Sequence, residues 1–94
     1  MAQSTLLAAG HTAATSTDLV VAAGAFATIG VFSAAVGRLA QDGIFTVMQD
    51  TPGVDNNVTT LDNTRRSVVL IGPGTFRVTR TAYTGTDFGV FGET

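Results

Sequence analysis

The chain of 94 residues contains no cysteine, no tryptophan, no lysine and a single histidine. Without cysteine the fold can use neither disulfides nor thiolate metal sites. Five arginines are the only strong cations, and seven acidic residues bring the net charge to -2. That balance offers no basic patch for nucleic acid. We therefore expect no nucleic-acid partner and find no motif that implies a cofactor.

Charged residues of either sign are also scarce, at 13% of the chain against about 25% in an ordinary soluble domain. A small protein with so few charges is poorly protected against association. Two explanations compete: the chain buries part of its surface in an assembly, or it meets a lipid bilayer.

The bilayer alternative rests on residues 19–37, which include no charged residue. As a helix this run would span roughly 28 Å, enough to cross a membrane once. The run is rich in alanine and glycine, however, and it divides into a strand over 18–23, a turn at Gly24 and Ala25, and a strand over 26–33. We favour the strands, and with them no membrane partner.

The segment 67–80 is the strongest local pattern. Val68 to Ile71 are β-branched or apolar, Pro73 and Gly74 suit the central positions of a type II turn, and residues 75–80 alternate. The pattern predicts a β-hairpin with Phe76 and Val78 inward and Arg77 outward.

The remaining turn signals divide the chain into further short strands over 5–9, 44–49, 58–61 and 88–91, with 34–41 as one or two helical turns or a loop. Seven or eight short strands predict an all-β fold, a single small antiparallel β-sandwich or jelly roll. We place that domain at residues 18–94. Residues 1–17 form an N-terminal segment that could instead be an extended arm reaching a neighbour.

Two clusters have the residue types of chemical sites. His11, Ser16 and Asp18 combine a base, a hydroxyl and a carboxylate, but proximity along one flexible stretch is no sign of catalytic geometry. The second cluster, which we call the acidic loop, consists of Asp50, Asp55, Asn56, Asn57 and Asp62. Side chains of these types can bind a hard cation such as calcium, but they are also the ordinary residues of turns. We expect neither an enzyme nor a metal site.

The candidate interface residues lie on two segments. Arginine and tyrosine are common interface anchors, which selects Arg77, Arg80 and Tyr83. Leu6 and Leu7 belong to the N-terminal segment, where an arm strand could add to a neighbour's sheet edge.

Three motifs carry a resemblance to a known group of proteins: the apolar run 20–21 followed by Ala22-Ala23-Gly24-Ala25, the segment 71–78 around Gly72-Pro73-Gly74, and the closing Gly89-Val90. Over residues 18–90 the chain resembles small β-sandwich virion proteins of tailed bacteriophages, of the head decoration or cement type. The resemblance implies a non-enzymatic structural protein on the capsid surface. It would bind the major capsid protein as a homo-oligomer, with a trimer favoured.

Two other functions stay open at this point: a sugar- or receptor-binding β-sandwich of a phage particle, and the small single-span membrane protein described above. Flat aromatic platforms would carry sugar binding, and the chain has one tyrosine and six phenylalanines for them.

Overall fold

The computed structural model describes residues 2–33 and 35–94. Within them the chain forms strands and no helix, which confirms the all-β prediction. The strands are β1 (Gln3–Gly10), β2 (Ala14–Thr15), β3 (Leu19–Val21), β4 (Phe26–Ser33), β5 (Phe45–Gln49), β6 (Asn56–Leu61), β7 (Ser67–Ile71), β8 (Gly74–Arg80) and β9 (Phe88–Glu93).

The strands form two antiparallel sheets. The first has the order β1-β9-β4-β7, and the second has the order β2-β8-β5-β6 with β3 also on β8. Because β2 and β3 pair with successive parts of β8, they act as one broken strand. The strand pairs are nested in sequence around the central β5–β6 hairpin. Moving outward along the chain, β4 pairs with β7, β2 and β3 pair with β8, and β1 pairs with β9. This wrapping of eight strands into two sheets is a jelly roll.

The core lies between the sheets because side chains alternate along each strand. The predicted inward positions on β8 are confirmed: Val78 has no exposed surface, and Phe76 is 4% exposed. On β5, Phe45 and Val47 also have no exposed surface. The other fully buried large side chains come from both sheets: Ile29, Leu61, Phe88 and Val90.

Residues 19–33 fold as the two predicted strands. The amide of Ala25 donates to the Ala22 carbonyl at 3.0 Å, and Gly24 has a φ of 77°, so the connecting turn needs glycine. Within the described residues, no helix has the length and apolar character that a membrane crossing requires. Residues 35–41 form turns and loop, while Ala34 lies outside the described residues.

The predicted hairpin over 67–80 is wrong. β7 pairs with β4 in one sheet, and β8 pairs with β5 in the other, so residues 72–73 cross between the sheets. Gly74 does not have a positive φ, and the Gly72–Pro73 peptide bond is cis. Gly72 lies against the Ala22 carbonyl, where a side chain has no room. A two-residue corner between sheets therefore has the same local sequence pattern as a hairpin turn.

The N-terminal segment is part of the same sandwich. β1 pairs with β9 of its own chain, and Leu6 is 7% exposed within the core. A register shift between Thr5 and Leu7 places both leucines against the core. The strand predicted over residues 5–9 is present, but it is neither a separate arm nor outside the β-sandwich.

This pairing predicts the result of deleting residues 1–10. The deletion removes Leu6 from the core and leaves β9 unpaired on one side, so we expect loss of cooperative thermal unfolding, followed by circular dichroism. A truncated chain that keeps the native β spectrum and melting temperature would instead support the arm.

Candidate interaction surface

The outer side of the four-stranded sheet is an apolar surface that the fold leaves open. We name it the aromatic face. Its apolar members are Phe26, Phe32, Val69, Ile71 and Phe91, and its polar members are Gln3, Thr5, Thr28 and Glu93. Phe26, Val69 and Ile71 are 66%, 62% and 67% exposed. Glu93 is the only charged side chain that the described strands present on this face.

Strand β4 creates this face because it is apolar on both sides. Ala27 and Ile29 point into the core, while Phe26 and Phe32 point outward. The ring of Phe91 lies over Gly30, its cross-strand partner, where a Cβ atom would come within 2.6 Å of the ring. The aromatic side chain thus covers backbone that glycine leaves bare.

A shallow groove runs along the β1 side of the aromatic face. Its lining combines two half-buried rings with small polar side chains: Gln3, Ser4, Thr5, Phe32 and Phe91. It offers apolar contact and hydrogen bonds, but none of its residues is titratable.

The outer side of the other sheet has a different character, because Arg77 lies at its centre among three carboxylates. Its Nε atom donates to Asp18 at 3.0 Å, and Nη1 donates to Asp55 at 2.7 Å. Asp50 is 3.7 Å from Nη2. The Asp18 carboxylate is the main cause of a raised pKa for Arg77, and Asp55 and Asp50 add to it. As predicted, Arg77 points outward, but these three carboxylates more than offset its positive charge.

Arg80, which the sequence predicts as an interface residue, is buried. It shares the inward face of β8 with Phe76 and Val78 and is 4% exposed. Its Nε donates to the Thr12 carbonyl at 2.7 Å, and Nη1 donates to the carbonyls of Ala8 and Phe88 at 3.0 and 2.9 Å. A buried arginine of this kind joins strands rather than meeting a partner.

Tyr83 is also buried, at 5% exposure. Its hydroxyl accepts from the Phe88 amide at 3.0 Å and donates toward the Thr86 carbonyl at 2.7 Å, with the Gly10 carbonyl at 3.1 Å. Burial raises the pKa of this hydroxyl. With Leu6 in the core and Leu7 packed against it, Arg77 is the one predicted interface residue that faces outward.

The three residues considered for catalysis make their hydrogen bonds in different places. His11 Nδ1 lies 2.7 Å from Asp87. The Ser16 hydroxyl donates to the Thr17 carbonyl and accepts from the Val78 amide. Ser16 thus fills the gap between β2 and β3, and Asp18 binds Arg77.

The acidic loop likewise divides. Asp50 and Asp55 face Arg77, whereas Asp62 caps its own turn by accepting hydrogen bonds from the Thr64 hydroxyl and from the amides of Thr64 and Arg65. Across residues 2–33 and 35–94, no group of three or more histidine, cysteine or acidic side chains is arranged to hold a metal ion.

Comparison of the chain with protein-family models, with curated proteins and with solved structures found no match.

Sequence reasoning missed the aromatic face, although one signal for it was present. The alternate residues Phe26, Thr28, Gly30 and Phe32 form a second largely apolar stripe beside the core stripe of β4. A strand that is apolar on both faces is typical of a sheet covered on both sides. On β9, Phe91 follows buried Val90 and carries the same signal.

We predict that Arg80→Met lowers the free energy of unfolding by roughly 2–5 kcal/mol, because three carbonyls lose their donor inside the protein. Chemical denaturation measures this change. Arg65→Met is the matched control, with an exposed side chain and an expected change within about 0.5 kcal/mol. Equal effects of the two substitutions would contradict the structural role of Arg80.

The hydrogen bonds that Asp62 accepts predict that part of the protein's stability depends on pH. Hydrogen bonds from the Thr64 side chain, then from the Thr64 and Arg65 amides, lower the pKa of Asp62 below its ordinary 3.8. A lowered pKa means that the stabilisation is present above pH 3.8 and is lost as the pH falls through the lower, folded-state value. Asp62→Ala should therefore melt below wild type at pH 6, and the difference should shrink between pH 4 and pH 2. Asp42→Ala is the control, and a difference that persists at pH 2 would contradict this assignment.

Proposed function

We propose that the chain is a non-enzymatic structural protein of a bacteriophage virion. In this proposal it decorates and stabilises the capsid surface, with the major capsid protein as partner and an oligomer as the attached form. The observation that carries the proposal is the aromatic face: an exposed apolar sheet surface with one charged side chain, on a protein whose other sheet carries a charged cluster around Arg77.

Three features support this function over a catalytic one. Large exposed apolar patches mark interaction sites in soluble proteins. The jelly roll is a fold that capsid proteins use, although a fold alone does not establish a function. The residues with catalytic types of side chain, His11, Ser16 and Asp18, are engaged in separate structural contacts.

In this proposal, attachment to the capsid comes from the sum of many modest contacts, one for each bound copy. The face is formed by four strands of five to eight residues, so we expect each single contact to be modest beside the standard interface of about 800 Å² per partner. Repetition over a shell lattice converts weak single contacts into strong attachment, because linked copies bind as one unit. Each bound copy that bridges neighbouring shell subunits then resists their separation.

Thr5→Lys tests this role. Thr5 is exposed on the aromatic face beside Phe91, so a lysine there places a charge in the contact without touching the core. We expect at least tenfold weaker binding to capsid particles that lack the chain, measured by co-sedimentation, and loss of the added heat resistance. Thr60→Lys is the matched control, since Thr60 is exposed on the second sheet. Failure of the wild-type chain to bind particles contradicts the proposal.

The groove beside Phe32 and Phe91 favours a second candidate, a sugar-binding site. Apolar rings next to amide and hydroxyl groups are suited to the two sides of a sugar ring. Glycan-array binding that Thr5→Lys abolishes, without binding to particles, would favour this candidate.

A further inference from the structure

The edge strands of the two sheets differ in their protection against pairing with another chain. β1 has two register shifts between Thr5 and Gly10. The edge formed by β2 and β3 is broken, because strands of two and three residues flank residues 16–18. β6 has a register shift opposite Val47 and Met48. Bulges and short strands are the devices by which proteins discourage edge-to-edge association.

The fourth edge, which we call the β7 edge, lacks these devices. β7 pairs with β4 in continuous register over Ser67–Ile71 and has no neighbour on its other side within the described chain. It contains neither a proline nor a charged residue. Its outward side chains Val69 and Ile71 are largely exposed. A regular, apolar and uncharged edge of this kind is a template for another strand.

The hydrogen bonds to β4 identify the backbone groups that the β7 edge leaves open. The Val31 amide donates to the Arg66 carbonyl at 2.9 Å, and the Gly72 amide donates to the Ala25 carbonyl at 3.0 Å. Since the antiparallel pattern alternates, the residues between these points that face β4 are Val68 and Leu70. The others direct their N–H and C=O groups to the open side: Ser67, Val69 and Ile71.

We infer that the β7 edge pairs with the β7 edge of a second copy of this chain, antiparallel and about a two-fold axis at Val69. In this register Val69 lies opposite its equivalent, and Ser67 lies opposite Ile71. All three residues with open backbone groups then meet one another, and each pair exchanges both hydrogen bonds. A two-fold contact requires such a self-complementary surface.

Side chains and charges agree with this register. The two Val69 side chains meet on the same side of the joined sheet, and Ile71 continues the apolar surface to Phe26, its partner on β4. Arg66 falls opposite Gly72, so no like charges are opposed. The aromatic faces of the two copies become one surface. The β7 edge is complementary to itself in hydrogen bonds, side chains and charge. A second copy of this chain meets all three conditions, so we favour it over an unrelated strand.

The proposed contact between the two β7 edges is small, so we expect the dimer to be weak. Five paired residues fall well short of the roughly 800 Å² per partner of a standard interface. We therefore expect a monomer–dimer equilibrium at micromolar or higher protein concentration rather than a permanent dimer. This inference goes beyond the proposed function and does not depend on it, since no shell protein takes part.

Sedimentation equilibrium of the full chain over a wide concentration range tests the inference. We expect the mass to rise from 9.6 kDa toward twice that value and to stop there. Val69→Lys places two charges at the axis and should leave only monomer. Val20→Lys is the control, because Val20 is equally apolar and 71% exposed but lies on the second sheet. It should associate like wild type.

A second variant tests the register even if Val69→Lys folds poorly. The chain has no cysteine, so Val69→Cys can form a disulfide only between copies. Directly opposed residues have Cα atoms about 5.5 Å apart, within disulfide range. We expect rapid cross-linking of Val69→Cys under mild oxidation and little of Val20→Cys. A monomer at every concentration, a trimer, association without limit, or equal cross-linking of both variants would overturn the inference.

Discussion

The buried guanidinium of Arg80 is the interaction on which one end of the sandwich depends. It starts from β8 in the second sheet and donates to carbonyls of β1, β9 and the loop before β2. It therefore connects the two outer pairs of the nested strand arrangement. A buried cation costs several kcal/mol to desolvate unless polar groups surround it, so this end of the sandwich must keep all three carbonyls in place. Tyr83 bonds the neighbouring backbone and extends this polar network.

The parts of the fold that could be predicted are those set by neighbouring residues. Alternation along β8 identified Phe76 and Val78 as inward side chains, and the turn at Gly24 was indicated by the adjacent pair Gly24 and Ala25. Strand partners depend on contacts between distant segments, so the local pattern around Gly72 predicts a hairpin where the structure has a corner between the sheets. The burial of Arg80 and Tyr83 could not be predicted for the same reason. Their hydrogen-bond partners lie on β1 and around β9, and no local sequence pattern specifies those partners.

The two outer surfaces of the sandwich differ in a way that bears on function. On the second sheet, three carboxylates surround Arg77, so the surface there is charged and carries a local excess of negative charge. The first sheet presents phenylalanine and β-branched side chains with Glu93 as their only charged neighbour on the strands. The outer side of the first sheet therefore has the fewest charged residues. The β7 edge borders that side. Pairing two copies there would join their aromatic faces into one surface. The resulting two-fold pair differs from the trimer that the resemblance implied.

Electron cryo-microscopy of capsid particles saturated with the wild-type chain tests the central claim most directly. Our account predicts density for the sandwich on the outer surface of the shell, with Phe32, Phe91 and Thr5 against the capsid protein and Arg77 toward solvent. Density that places the Arg77 side against the shell, or particles without any bound sandwich at saturating concentration, would contradict it.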